Sequence, residues 1–265
     1  MITLYNQNIW NKYPAGYRNR VLRSLVEDFN ADVCTFQECG PFANRIAEPS
    51  LEAVMVGEYA EAVPEAAMVN YTPVFYRKDR FNLVDAGYST YDGLNDANSK
   101  GVSWAVLEEK ATGKRCAFAS THFWYKARGQ EDTQQRIENA RQLKGICDRI
   151  VEIYRIPVII GGDFNNGKNS RQEDIPYRTM VQWGFRDVRY LAKESTEAEY
   201  TCASSYPLLQ LDGTFKPCPQ APSFCIDYIF EYGDGNVEFE KFWIENGAKA
   251  RTASDHCPLI CSFQL

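Results

Sequence analysis

The sequence contains only two histidines, His122 and His256, and none of its nine cysteines forms a C-x-x-C pair. A zinc site needs several cysteine and histidine ligands, so this scarcity argues against a bound zinc ion. Cys202, Cys218 and Cys225 lie in one loop-rich segment, where a single disulfide stays open as an alternative. Most of the other cysteines lie in apolar segments and are typical of a reduced, cytosolic protein.

The sequence also lacks an apolar run of about 18 residues, so it predicts no transmembrane helix. Its first residues, Met1–Tyr5, do not show the basic segment and following apolar segment of a signal peptide. We therefore expect a cytoplasmic protein, with secretion after removal of a signal as the alternative. An excess of basic charge is missing too, because 29 basic side chains face 35 acidic ones and the net charge is −6. This balance argues against a protein that coats nucleic acid through charge alone, but not against an enzyme that binds one phosphate group.

The composition is that of an ordinary globular protein, with 45% apolar and 24% charged residues. A chain of this composition can bury a sizeable core, which argues against intrinsic disorder. No repeat, low-complexity tract or linker interrupts the sequence. We therefore predict a single domain over residues 1–265, and we expect a monomer.

Hydrophobic periodicity predicts amphipathic helices at residues 17–30 and 131–154. Short apolar segments bounded by turn residues predict strands. These lie at residues 2–10, 33–36, 101–109, 115–121, 157–162, 226–231, 239–245 and 258–263, with two more between 71 and 91. Residues 191–223 have no clean period and are predicted to form a long surface loop, a kind of loop that is usually functional or mobile. Strands at both ends with helices among them predict an α+β sandwich.

Polar side chains stand at the ends of these predicted strands. They are Asn8, Glu38, His122, Asp163, Asn165, Asp227, Asp255 and His256. Taken singly, most of them are explained equally well by a turn or a cap. Asp227 differs, because it lies inside an apolar segment where a carboxylate needs a partner, and His256 is a candidate for that partner.

The carboxylates of this set would repel one another if they met at one end of a sandwich. A hard divalent cation relieves that repulsion, and Mg²⁺ prefers carboxylate and amide oxygens. The two histidines beside such an ion would then meet a phosphate group. The combination predicts metal-assisted hydrolysis of a phosphoester.

Ordered segments of the chain resemble the motifs of the endonuclease/exonuclease/phosphatase superfamily, whose fold is that of deoxyribonuclease I. The segments are Asn8–Trp10, Asp32–Glu38, Phe75–Phe81, Thr121-His122, Gly161–Asn165, Ile226–Ile229 and Ser254–Leu259. They follow the family's order over nearly the whole chain. The resemblance implies two packed β-sheets with helices on the outer faces, a four-layer α/β/β/α sandwich.

The resemblance also implies a metal site. Glu38 is expected to bind Mg²⁺, with Mn²⁺ as a substitute. Asn8 and Asp255 are expected to complete the site, either directly or through water. One position departs from the family, because Asn70 stands where many relatives carry a glutamate that approaches the first histidine. This departure puts a carboxylate partner for His122 in doubt and predicts that His122 is less basic.

The resemblance further implies catalytic roles. Asp163 is expected to orient or deprotonate the attacking water, helped by Asn165. His122 and His256 are expected to hydrogen-bond the phosphoryl oxygens, with Asp227 holding the ring of His256. Whether Asp163 or His256 is the general base stays open at this point.

The expected reaction is nuclease-like hydrolysis of a phosphodiester or phosphomonoester, and two alternatives to this first hypothesis stay open. A nuclease-like phosphodiesterase would need basic and aromatic side chains near the site. The candidates are Lys12, Tyr13, Arg18, Lys100, Trp124, Tyr125, Lys126, Arg128, Lys168 and Arg171, of which Lys100, Trp124 and Lys126 are the predicted substrate-binding residues. The second hypothesis is an enzyme for a lipid head group or a sugar phosphate, although the apolar segment Tyr206–Leu209 is short for entering a membrane. The third is a non-catalytic binding module with the same fold.

Overall fold

The computed structural model describes residues 1–12, 15–40, 46–63, 70–166, 174–196, 198, 200–203, 205–219, 224–233 and 237–265. Its helices are α1 (Ala15–Asp28), α2 (Leu51–Met55), α3 (Gln130–Tyr154), α4 (Ile175–Gln182) and α5 (Ala248–Ala253). None of the described helices is long and apolar enough to cross a membrane.

The strands of the first half of the chain are β1 (Ile2–Asn8), β2 (Val33–Gln37), β3 (Tyr59–Glu61), β4 (Val74–Arg77), β5 (Phe81–Thr90), β6 (Gly101–Glu109) and β7 (Arg115–His122). Those of the second half are β8 (Val158–Asp163), β9 (Arg186–Asp187), β10 (Glu194–Ser195), β11 (Leu208–Leu209), β12 (Phe215–Lys216), β13 (Asp227–Tyr232), β14 (Glu238–Ile244) and β15 (Leu259–Gln264). The strands and helices predicted from the sequence are therefore present, with shifts of a few residues at their ends.

The strands form two large mixed sheets. The first has the order β10-β14-β15-β1-β2-β4-β3, and the second has the order β5-β6-β7-β8-β13-β9. In the first sheet β1 is parallel to β2 and antiparallel to β15. In the second sheet β7 is parallel to β8, and β13 is antiparallel to β8. This arrangement confirms the predicted two-sheet sandwich.

Three hydrophobic clusters separate four layers. One lies between the sheets and contains Leu4 of β1 and Ile159 of β8. A second joins α1, α2 and α5 to the first sheet, where Tyr5 is its contribution from β1. A third joins α3 and α4 to the second sheet, where Val158 and Ile160 face the helices. Adjacent residues of one strand thus enter different clusters, as the two-residue period of a strand requires.

Polar side chains pack between the sheets near one edge of the sandwich. The Thr35 hydroxyl and the Gln37 amide both donate to Asn6 Oδ1 at 2.9 Å, and Gln37 also reaches Ser120 Oγ at 3.0 Å. A Cβ at Gly161 would lie 2.4 Å from Thr35 Oγ1, so only glycine permits this approach of the two sheets. The buried hydrogen bonds fix the sheets against each other beneath the predicted site.

The short helices α2, α4 and α5 and the short strands were not expected from the sequence. Helices of five to eight residues give too few turns for a clear period, and their burial comes from neighbouring elements. The described part of residues 191–223 is mostly irregular, as predicted, and contains only the two-residue strands β10, β11 and β12. All nine cysteines are buried and unpaired, so no disulfide links Cys202, Cys218 and Cys225.

The buried carboxylate Glu231 in β13 is expected to make the stability of the fold depend on pH. Glu231 is fully buried and pairs with Arg186, a partner that keeps contact with solvent. Burial raises the pKa of Glu231 although Arg186 opposes the shift. The folded chain therefore holds the proton more tightly than the unfolded chain, and stability is lost as the pH rises above the usual pKa of glutamate.

Replacing Glu231 with glutamine removes this pH-dependent cost. The Tm of Glu231→Gln minus the Tm of the native chain is expected to increase by about 2–4 °C as the pH rises from about 4.5 to 8. A change of this size corresponds to about 1 kcal/mol in a large domain. Thermal unfolding of both proteins at several pH values measures the difference. A difference that is constant with pH would contradict the assignment.

Candidate active site

The second sheet aligns three predicted site residues in one row. β7 and β8 place His122 opposite Asp163, and β13 places Asp227 opposite Asp163 from the other side. Gly101, the first residue of β6, lies opposite His122, so the preceding Lys100 reaches the same edge. Strand ends that are far apart in the sequence therefore meet because of the register of the sheet.

The first sheet brings the remaining residues to the same end of the sandwich. Asn8 ends β1 and lies opposite Gln37, which directly precedes Glu38. Asp255 and His256 precede β15, which runs antiparallel to β1 and so begins where β1 ends. Asn8 Nδ2 then donates to Asp163 Oδ2 across the sheets at 2.9 Å.

A cavity of about 690 Å³ opens at this edge. Its walls include the predicted residues Glu38, Lys100, His122, Asp163, Asn165, Asp255 and His256. Asn8 and Asp227 lie behind this wall, where both are buried and contact it through hydrogen bonds. The structure thus brings all eight predicted metal and catalytic residues together.

Asp163 lies at the centre of the predicted metal and catalytic residues. One oxygen of its carboxylate accepts the backbone N–H of Asn165 at 3.0 Å. The other accepts Asn8 Nδ2 and lies 3.4 Å from His122 Nε2 and 4.0 Å from His256 Nε2. Burial opposes the charged form, but the two histidines and Asn8 outweigh it and hold the pKa of Asp163 well below its usual value. The carboxylate is therefore ionised at neutral pH.

His256 is held by Asp227. Its Nδ1 lies 3.0 Å from both oxygens of the Asp227 carboxylate, and the Thr201 hydroxyl donates to one of those oxygens at 2.6 Å. Burial disfavours the imidazolium, but Asp227, Cys202 and Asp255 overcome it and raise the pKa of His256 well above the usual value. Burial also raises the pKa of Asp227 to about 6. At neutral pH the pair is therefore a carboxylate beside an imidazolium.

The donor atoms at this edge fit a hard divalent cation. Glu38, Asp163 and Asp255 line the same cavity, and burial together with repulsion from Glu38 raises the pKa of Asp255 although His256 opposes the shift. Such a set of carboxylates is what Mg²⁺ prefers. Asn8 presents its amide nitrogen to Glu38 at 3.2 Å, while its oxygen accepts the backbone N–H of Trp10 at 2.9 Å. In this conformation Asn8 orients the carboxylates, and direct coordination requires its amide to turn.

His122 has a cation as its neighbour. Lys100 Nζ lies 3.1 Å from His122 Nε2 and 3.3 Å from Nδ1. Burial, with Lys100 second, lowers the pKa of His122 although Asp163 opposes the shift. Asn70 makes no carboxylate contact, since its oxygen accepts from the Ser103 hydroxyl at 2.9 Å. The lowered pKa of His122 agrees with the lower basicity that Asn70 predicts for this ring. The neighbouring Lys100 is a second reason for the lowered pKa, and the sequence did not show it.

Three residues at the same edge have a left-handed backbone conformation. Trp10, Glu38 and Asn165 have positive φ angles of 55°, 59° and 50°, a region that costs free energy for residues with a side chain. Each of them lines the cavity. The surrounding hydrogen bonds maintain these conformations, for example the bond from Asn165 Nδ2 to the Phe123 carbonyl at 3.1 Å. Positive φ at three wall residues is typical of a functional site.

Two of the predicted substrate-binding residues do not line the cavity. The Trp124 ring is only 5% exposed, and its Nε1 donates to Asp132 at 2.6 Å. Lys126 lies over that ring, with Nζ 5.0 Å from its centroid. Lys100 does line the cavity, together with the neighbouring Tyr125, which is half-exposed. Tyr125 therefore replaces Trp124 as the aromatic candidate for contact with substrate.

The basic candidates divide in a similar way. Arg18 is buried and donates to the carbonyls of Ile9, Trp10, Lys12 and Ala253, so it fixes the loop after β1 and does not face the cavity. Lys12 lines the cavity, whereas Arg128 lies outside it. Tyr13, Lys168 and Arg171 lie outside the described residues.

One aromatic pair at the cavity, Trp10 and Tyr206, was not predicted from the sequence. Trp10 and Tyr206 both line it and stack with ring centroids 4.9 Å apart and planes within 6°. Tyr71 and Asp96 also line the wall without having been predicted. Trp10 stands directly after the Asn8 motif, and Tyr206 lies in the long segment 191–223 whose function was open. Their pairing depends on folding and has no signal in local spacing.

Comparisons with known proteins agree with this geometry. The model of the Endonuclease/Exonuclease/phosphatase family matches residues 6–256. Mannosyl-6-phosphatase from Bacteroides thetaiotaomicron is a similar solved structure, with a TM-score of 0.78, 18% identity and coverage of 100% of both chains. Sphingomyelinase C from Streptomyces griseocarneus gives a TM-score of 0.72 at 15% identity and covers 98% of each chain. D. rerio TDP2 complexed with a single-strand DNA product gives a TM-score of 0.67 at 18% identity and covers 100% of this chain and 99% of its own.

No curated protein sequence is similar enough to the chain to count as a match. The solved structures are all too distant in sequence to say more than which fold they share. The family match, by contrast, covers nearly the whole chain and every segment that carries a predicted site residue.

Proposed function

The chain belongs to the endonuclease/exonuclease/phosphatase family, whose members are phosphoric ester hydrolases, and we propose that it is a Mg²⁺-dependent phosphoesterase. The observation that supports this most directly is the geometry of Asp163. An ionised carboxylate contacts two histidines and an amide in a cavity lined by three further carboxylates. Water attack on phosphorus needs this combination of a water-orienting anion, hydrogen-bond donors and a metal site.

Glu38 and Asp255 would hold the cation, with the Asn8 amide orienting Glu38. Mg²⁺, or Mn²⁺ as a substitute, would supply Lewis-acid polarisation of the phosphoryl group when bound. Side chains of the protein orient the water and bind the phosphoryl oxygens in this proposal. Asp163 orients the attacking water, and the backbone N–H of Asn165 fixes the carboxylate for this role.

His256 acts as a donor in this proposal. Although burial opposes it, Asp227 raises the pKa of His256 and favours the protonated ring, so Nε2 is proposed to donate a hydrogen bond to a phosphoryl oxygen. Asp227 holds the ring in this orientation through Nδ1. His122 and Lys100 face the cavity from the neighbouring strands and are proposed to bind the other phosphoryl oxygens.

The cavity wall favours a small phosphoester over a nucleic acid. Among the described lining residues, the four carboxylates outnumber the cations Lys12, Lys100 and the His256 imidazolium; the carboxylates are Glu38, Asp96, Asp163 and Asp255. A polynucleotide needs a continuous positive groove for its backbone phosphates. Because Arg18 is buried and Trp124 is covered, two predicted contacts for such a polymer are absent from the wall. A sugar phosphate, the kind of substrate named for the similar mannosyl-6-phosphatase, fits the charge of this cavity better.

A lipid head group is the second candidate, and one surface feature favours it. The hairpin of β11 and β12 exposes Leu208, Leu209 and Leu211, and Leu211 is fully exposed. Tyr206 joins this hairpin to the cavity, because it stacks on Trp10 at the wall. Apolar side chains this close to a phosphate site could rest on a lipid surface. The similar sphingomyelinase C gives the same hypothesis.

The proposed setting is the cytoplasm, with the chain acting as a monomer. Nine buried thiols without a disulfide support a reducing compartment. The non-catalytic alternative is less consistent with the site, since the predicted catalytic side chains are all present and in contact.

Hydrolysis of a panel of phosphoesters tests the proposal. The panel contains sugar phosphates, sphingomyelin in vesicles, inositol phosphates, RNA, and single- and double-stranded DNA, each with Mg²⁺ and with Mn²⁺. We expect turnover of a sugar phosphate or lipid head group that EDTA abolishes. Glu38→Gln is expected to weaken the apparent affinity for Mg²⁺ by at least about tenfold, because the amide lacks the charge that binds the ion.

Asp96→Asn serves as a matched control, because it removes an exposed carboxylate from the same wall without touching Asp163 or Asn8. Turnover that persists in EDTA would contradict the metal dependence. Turnover confined to DNA or RNA would contradict the small-substrate proposal but leave the reaction type intact. No hydrolysis of any substrate on the panel would support the binding module instead.

A further inference from the structure

Cys202, Asp255 and His256 form a group of metal-binding atoms in the cavity wall. Each offers one ligand atom, and these atoms lie within 4.8 Å of one another. A thiolate, an imidazole and a carboxylate are ligands that Zn²⁺ accepts, whereas Mg²⁺ takes oxygen ligands. We infer that this group binds Zn²⁺, or a similarly thiophilic divalent cation, and that the bound ion inhibits hydrolysis at the adjacent phosphate site.

The ring of His256 is already oriented for such an ion. Both oxygens of Asp227 lie 3.0 Å from Nδ1, which leaves Nε2, 4.0 Å from Asp163 Oδ2, as the nitrogen that would bind an ion. Metal-binding histidines usually donate their second N–H to a carboxylate or carbonyl, and this contact fixes the ring and its tautomer. The site therefore has its supporting hydrogen bond in place.

The backbone fixes the position of Cys202 as well. Ala203 N donates to the Asp255 carbonyl at 2.8 Å, and Cys257 N donates to the Thr201 carbonyl at 2.6 Å. These two bonds flank Cys202 and join its segment to the segment that carries the other two ligands. The thiol donates to the Ala203 carbonyl at 3.5 Å and also hydrogen-bonds His256, so it already lies beside the imidazole with which it would share the ion.

When Zn²⁺ binds, it replaces one proton on the thiol and one on the imidazole. Zn²⁺ forms bonds to Cys202 Sγ, His256 Nε2 and a carboxylate oxygen of Asp255, and the thiol proton and the Nε2 proton leave to solvent. No oxidation state changes. His256 can then no longer donate to a phosphoryl oxygen, and Asp255 is withdrawn from the Mg²⁺ site. The inhibition rests on the proposed function, whereas the binding of Zn²⁺ does not.

Titration of the full chain with Zn²⁺ tests the site, with Co²⁺ as a spectroscopic probe and Mg²⁺ present throughout. We expect one Zn²⁺ per chain by calorimetry and a thiolate–Co²⁺ charge-transfer band in the near ultraviolet. Cys202→Ser is expected to abolish the band and to weaken Zn²⁺ binding by at least about tenfold, because a hydroxyl is a poor ligand for a soft ion. Cys218→Ser, another buried cysteine of the same region, is expected to change neither.

Inhibition provides the second readout. Zn²⁺ is expected to inhibit the native enzyme and Cys218→Ser, and EDTA followed by Mg²⁺ is expected to restore turnover. Cys202→Ser should lose sensitivity to Zn²⁺, measured as the ratio of its own rates with and without the ion. Equal Zn²⁺ affinity in Cys202→Ser, or a native Co²⁺ spectrum without the thiolate band, would overturn the inference whether or not the variant folds. Zn²⁺ binding in a chain that hydrolyses no phosphoester would uphold the site and refute the proposed function.

Discussion

Asp163→Asn is expected to lower kcat by about 10³-fold with little change in Tm. The substitution keeps the size of the side chain and its acceptor for the Asn165 backbone N–H. It removes the negative charge that orients water and that faces His122 at 3.4 Å and His256 at 4.0 Å. The effect is expected in kcat, because the charge is needed most as water attacks phosphorus. Steady-state kinetics with saturating Mg²⁺, on the substrate that the panel identifies, measures it.

Asp96→Asn is the matched control for this measurement too, because it removes one negative charge from the same wall. It is expected to change kcat by less than about threefold, and a Mg²⁺ titration shows whether either variant has lost the ion. If Asp163→Asn keeps more than about a tenth of the native kcat at saturating Mg²⁺, Asp163 does not orient the water. The general base must then be sought elsewhere.

The fold could be predicted from the sequence because its main elements carry strong periodic signals. The long helix α3 has a clear period of 3.6 residues, and the strand β8 is a short apolar run that ends at two glycines; both are present. The meeting of polar residues at one edge follows from the same pattern, since each stands where a strand begins or ends. What the sequence could not give was the register that sets His122 and Asp227 on either side of Asp163.

The contacts that depend on loops escaped prediction for a physical reason. Trp124 and Arg18 have the chemistry of nucleic-acid contacts, but folding buries the ring against Asp132 and the guanidinium among backbone carbonyls. Tyr206 stacks on a ring that lies nearly 200 positions earlier in the sequence, at a distance of 4.9 Å. Composition shows what a side chain is able to contact, whereas the path of the backbone decides what it does contact.

Asp227→Asn is expected to lower kcat by about 10²–10³-fold although Asp227 does not line the cavity. The carboxylate maintains the charge of His256, since burial would otherwise lower the pKa of the ring. Without it the pKa of the ring falls, so Nε2 loses its positive charge at a lower pH than in the native chain. The ratio of native to variant kcat should therefore increase as the pH rises from about 6 to 8. NMR titration checks the cause directly, because the chain has two histidines and the variant should show a lower pKa for one of them.

The double variant Asp227→Asn/His256→Ala distinguishes action through the ring from a loss of structure. If Asp227 acts through His256, the double variant should have the kcat of His256→Ala alone, because the carboxylate has nothing left to hold. Asp187→Asn is the matched control, a buried carboxylate in the neighbouring strand of the same sheet that should lower Tm and leave kcat unchanged. Additive losses in the double variant would mean that Asp227 supports the sheet and not the imidazolium. The charge of His256 would then have to come from Asp255 and Cys202, the other two groups that raise its pKa.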